Sequence, residues 1–169
     1  MSATLQRDQA TALAKTDPKK ALEKARSVGE PWFRAQALSW VARFTDGDPG
    51  AIAAQAAKAA LECDDDYKRS AVRSWEIAAL AERDCKSKAK RSLEEAIRLA
   101  RSVHPPSSRS EAIFSLLQAA FAIGEGEVRT VYSTLVESCP ASEHWRCKRA
   151  IRDATKMING QLKPRAFFW

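Results

Sequence analysis

Residues Trp32–Trp40 read WFRAQALSW, and residues Tyr67–Trp75 read YKRSAVRSW. Both stretches open on an aromatic, carry Arg two residues later, follow it with a small residue and close on Ser-Trp. The Arg recurs as Arg34, Arg69, Arg109 and Arg146, at spacings of 35, 40 and 37 residues, and is followed by Ala35, Ser70, Ser110 and Cys147. The first position runs Trp32, Tyr67, Ser107 and His144, so the aromatic fades in the later copies. Such a period is the length of a two-helix unit, which cannot bury its apolar face alone and needs neighbours stacked on it.

The spacing around the motif is helical. Ala71, Val72, Trp75, Ala78 and Ala79 share one face, as do Val128, Val131, Tyr132, Leu135 and Val136, and Ala150, Ile151, Ala154, Met157 and Ile158. Asp17-Pro18 and Asp48-Pro49 each set an N-cap before a proline at the first helical position. Ser108 and Glu111 have capping-box spacing, and Gly47, Gly124 and Asn159-Gly160 suit left-handed helix ends. These marks predict nine helices, near 3–15, 18–28, 31–45, 49–62, 66–83, 87–102, 108–123, 126–138 and 142–159. The repeated motif then begins every second helix, and the first helix, with Arg7 and Ala10, Leu13 and Ala14, reads as an N-terminal capping half-repeat.

Composition agrees. With six Gly, seven Pro and no alternating Val/Ile/Thr run, the 169 residues favour helix over sheet. The 28 basic residues exceed the 21 acidic ones by seven, a surplus that attracts anionic partners without forming a dense basic arm. The N-terminal MSATLQRDQATALAK lacks the apolar core of a signal peptide, and the longest uncharged run, Ala112–Gly124, is too short to span a bilayer. Cys63, Cys85, Cys139 and Cys147 show no tight framework, which sets the expectation of free thiols in the cytoplasm and no membrane association.

The stretch DPKKALEKARSVGEPWFRAQALSWVARF, followed by DPGAIAAQAAKAALE, resembles the helix-turn-helix repeats of tetratricopeptide-like and HEAT-like solenoids, over Asp17–Gly160. The likeness is one of layout. The first helices here carry ALEKA, AAKAA and AIRLA in place of the tetratricopeptide Trp, Leu-Gly and Tyr, and the repeat lengths vary. What the resemblance implies is an all-α, right-handed αα-superhelix: about four hairpins and an N-terminal capping helix over residues 1–160, acting as a binding scaffold.

Candidate sites follow. A cation near a helix N-terminus opposes the dipole, so Arg34, Arg69, Arg109 and Arg146 need partners. Acids three or four residues earlier (Glu30, Asp65 or Asp66, Glu143) and the carbonyls ending the preceding helix both qualify; otherwise the four guanidinium groups form a ladder for carboxylates or phosphates. Lys86, Lys88, Lys90 and Arg91, with Arg149, Arg152 and Lys156 at i, i+3, i+7, form basic stripes that support a nucleic-acid alternative. Against it, Lys90–Glu94–Arg98 and Arg91–Glu95 have the i, i+4 spacing of an ordinary solvated face. Cys139, His144 and Cys147 lack a local fourth ligand for zinc, so no metal or cofactor is expected. No phosphate loop, GxSxG or HExxH is present. The expected function is a non-enzymatic scaffold for a protein or peptide. Residues 161–169 end in Phe167, Phe168 and Trp169, expected either to fold back as a cap or to dock into a partner or a second copy.

Overall fold

The computed structural model describes residues 1–139 and 144–168. Its described residues form α-helices and connecting turns, with no strand: α1 Ala3–Leu13, α2 Pro18–Arg26, α3 Pro31–Phe44, α4 Pro49–Leu61, α5 Asp66–Ala71, α6 Arg73–Glu82, α7 Lys86–Arg101, α8 Pro106–Ala120, α9 Glu125–Ser138 and α10 Trp145–Ile158. The protein is all-α.

The caps show why the helices start where they do. Asp17 accepts from the Lys20 N–H (3.0 Å), Asp48 from Gly50 (2.8 Å) and Asp65 from Lys68 (2.7 Å). Glu30 takes the N–H groups of Trp32 and Phe33, so it caps α3 and leaves Arg34 to other partners. The Ser108–Glu111 capping box does not form. Pro106 takes the first helical position, which makes Ser108 the third residue of α8 instead of its cap and leaves Glu111 to Arg149 (2.5 Å).

The helix expected over 66–83 is interrupted at Val72. The Ser70 hydroxyl donates to the Asp66 and Tyr67 carbonyls (2.8 and 3.1 Å), and Ser74 donates to Ala71 (2.5 Å). These bonds compete with the backbone ladder, and the Trp75 N–H closes a shorter turn onto the Val72 carbonyl (3.2 Å). Val72 keeps helical dihedrals, so α5 and α6 continue one another. Of the glycines expected at left-handed ends, Gly160 has φ +70° whereas Gly124 is extended. Asp84 takes that conformation at the end of α6 (φ 58°), where Cys85 N–H returns to Leu80 (2.8 Å) and Asp84 N–H to Ala81 (3.1 Å).

Packing follows chain order in two rows. Helices α1, α3, α5–α6, α8 and α10 touch in succession and make an inner row. Each of α2, α4, α7 and α9 packs against the inner-row helices before and after it. One apolar core runs through both rows, from Ala10 to Phe167, and is rich in Ala, which permits close helix approach. Outer helices bury a stripe, such as Ala89, Leu93, Ala96, Ile97 and Ala100 of α7. In the inner row, α3 is buried continuously from Ala35 to Ala42 and α6 from Arg73 to Ala81. Neighbouring helices cover their flanks, and the C-terminal segment crosses their remaining face.

Candidate functional site: a groove over the inner helices

The repeated Arg side chains come first. Arg34 donates to the carbonyls of Val28 (3.1 Å) and Gly29 (3.5 Å) beyond the end of α2 and pairs with Glu62. Arg69 donates to the Cys63 carbonyl (2.8 Å) beyond α4 and to Asp66 (3.1 Å). Arg109 donates to the Arg101 carbonyl at the end of α7 (3.3 Å), and its buried Nε has no hydrogen-bond partner among the described residues. Three of the four therefore tie an inner helix to the end of the outer helix before it. Arg146 differs: it is exposed, and its guanidinium lies 5.5 Å from the Trp145 ring. The expected Glu143–Arg146 pair lies outside the described residues.

The basic stripes are divided between the rows, Lys86, Lys88, Lys90 and Arg91 on α7 and Arg149, Arg152 and Lys156 on α10. Lys88 pairs with Asp48 (3.4 Å), Lys90 with Glu127 (2.7 Å), Arg149 with Glu111 (2.5 Å) and Arg152 with Asp153 (2.8 Å). Lys90 thus bridges to α9, and Glu95 goes to Arg73 (3.2 Å). Cys63, Cys139 and Cys147 are buried, and desolvation pushes the Cys139 thiol up to about 12 with Cys147 beside it. No group of three or more His, Cys, Asp or Glu is placed to hold a metal among the described residues. Among those residues no helix is long and apolar enough to cross a membrane.

The aromatics of the repeat assemble a surface. Trp32 stacks on Tyr67 (centroids 6.5 Å, 14° between planes) and meets Trp75 edge-on at 5.9 Å. Along α8, Ser108, Glu111, Ser115 and Gln118 lie on one stripe, at i, i+3, i+7 and i+10. Beside the start of that stripe is an open cavity of about 470 Å³, lined by Tyr67, Ser108, Glu111, Trp145, Arg146 and Arg149. Trp145 is 59% exposed, and the Arg149 guanidinium sits 5.0 Å from its ring. Partial burial raises the Tyr67 phenol above its ordinary value.

At the far end of the same stripe the groove is filled. The Gln118 side-chain carbonyl accepts from the Arg165 N–H (3.0 Å), and Trp75 Nε1–H donates to the Phe167 carbonyl (3.1 Å). Phe167 is buried edge-on against Trp75 (5.3 Å), and Phe168 meets Trp40 (5.3 Å). Arg43, held to Glu82 by two bonds (2.7 and 2.9 Å), stacks 4.1 Å from the Phe168 ring. Trp169 lies outside the described residues.

Beneath this end sits an ion pair that the sequence reading missed. Arg73 and Glu76 are both buried and bonded (2.8 Å), Arg73 reaches Glu95, and Glu76 Oε2 has no hydrogen-bond partner among the described residues. Burial pushes the Glu76 carboxyl up to about 7, against the opposing charge of Arg73. The signal was available: apart from Ser74, Arg73 and Glu76 are the only polar residues of Ala71–Ala81, which leaves no solvated face for them. Arg83 was missed as well, and caps α3 by donating to the carbonyls of Ala42, Arg43 and Thr45 at 3.0 Å each. No protein-family model, curated protein or solved structure matches the chain.

Proposed function

We propose that this protein is a non-enzymatic interaction scaffold, its hairpins wound as a right-handed αα-superhelix, that receives an extended segment of a partner protein in the groove over its inner helices. The observation that carries the reading is the C-terminal segment, which lies in that groove and is held by a Trp indole and a Gln amide at its backbone. A groove that fixes a chain's backbone and offers pockets to alternate side chains has the chemistry of peptide recognition. The adjoining open cavity, with Tyr67, Trp145, Arg146 and Arg149, extends it with aromatic and cationic contacts. A cytoplasmic setting fits this role.

The nucleic-acid alternative has less support, because its basic residues are split between two rows and Lys88, Lys90, Arg149 and Arg152 are paired with acids. The test is capture by the full-length chain from a native lysate, with and without nuclease, beside Trp145→Ala/Arg146→Ala. Capture of protein that survives nuclease and is lost in the double variant is expected. Capture that disappears with nuclease and falls steeply with salt overturns the reading in favour of nucleic acid.

A further inference from the structure

We infer that the groove selects segments of the form Arg-x-Phe-Phe, and that the chain's own C-terminus is a resident competitor that a partner must displace. The inference rests on the groove reading above and names its ligand class and its regulation.

Four contacts define the selection. Backbone register is set twice, by Gln118 at residue 165 and by Trp75 at residue 167. The Arg165 guanidinium lies over the Trp75 ring (4.9 Å) and the Phe167 ring (5.1 Å), so cation and first Phe share one side. Phe168 goes to the other side, between Trp40 and the Arg43 guanidinium. The seat therefore reads a cation, one unread residue and two aromatics. The exposed Ala166 is the unread position.

Ligand and groove are joined through the short stretch 159–164 after α10. A short intramolecular link gives an effective concentration on the order of 1 mM. For a free copy of the same segment, that internal competitor weakens apparent binding by about the ratio of the effective concentration to the dissociation constant, more than tenfold for any dissociation constant below about 0.1 mM. The groove is then closed to weak ligands and open to those that also engage Trp145 and Arg146 in the adjoining cavity.

The test uses the full chain and a fluorescein-labelled peptide QLKPRAFFW, read by anisotropy. Phe167→Ala/Phe168→Ala should bind the peptide at least tenfold more tightly than wild type does, and a peptide with Ala for both Phe should bind neither chain. Arg165→Ala, which keeps both rings and the fold, should give a smaller gain of a few fold. Equal, tight binding to wild type and both variants overturns the resident competitor. Failure of the peptide to bind any chain overturns the Arg-x-Phe-Phe selection; the scaffold reading itself then falls only if Trp145→Ala/Arg146→Ala also leaves lysate capture unchanged.

Discussion

The two ends of the groove are built on the same row of helices and differ in what covers them. At the Trp75 end, an aromatic pair and two backbone hydrogen bonds from the chain's own terminus close the surface, and Trp75 is 5% exposed. At the Trp145 end the helix starts of α5, α8 and α10 leave an open cavity, and Trp145 is 59% exposed. One end is therefore closed by the chain itself while the other stands open. Substitutions should separate accordingly into those that cost stability and those that cost binding.

The largest effect is expected at Trp75→Ala, which removes the contacts of Trp32 and Phe167 together and should destabilise by about 3–5 kcal/mol in a denaturant titration. A loss below about 1 kcal/mol would mean the covered end is not core.

A pH dependence sharpens the same contrast. Glu76, beside Trp75, has a folded pKa raised from 4.5 to about 7. The folded state therefore binds a proton that the unfolded state has already released. Its stabilising contribution is complete below 4.5 and is lost as pH rises through about 7, a change of at most about 3 kcal/mol. Glu76→Gln should flatten the melting temperature across that window; an unchanged slope would show that the carboxyl is ionised throughout.

Phe167→Ala comes next, at about 1.5–3 kcal/mol for one buried aromatic. Arg34→Ala should then cost about 1–2 kcal/mol, because it abandons two loop carbonyls and Glu62. Arg146→Ala at the open end should stay within about 0.5 kcal/mol. If the two Arg variants melt alike, the repeated Arg does not divide into structural and surface members as their contacts indicate.

Helix order and most helix starts were legible because prolines, caps and apolar spacing are local signals. Pro18 and Pro49 begin their helices as the sequence predicts. The break at Val72 was not legible, since Ser70 and Ser74 flank it with hydroxyls that serve equally well inside a helix. The recurrence of Arg34, Arg69 and Arg109 marked real junctions, and their carbonyl partners were within reach of the pattern. The groove was not, because periodicity gives the face a residue occupies and not what covers that face. Phe167 reaches Trp75 across 92 positions of chain, a distance that no local pattern spans.

Closure of the groove is read directly by solvent exchange of the Trp indole N–H groups, followed by NMR in wild type and in Phe167→Ala/Phe168→Ala. Slow exchange at Trp75 and fast exchange at Trp145 are expected in wild type, with Trp75 becoming fast in the variant while Trp145 stays as it was. Fast exchange at both in wild type, or a Trp75 unaffected by the variant, would contradict a groove closed at one end by the chain's own terminus.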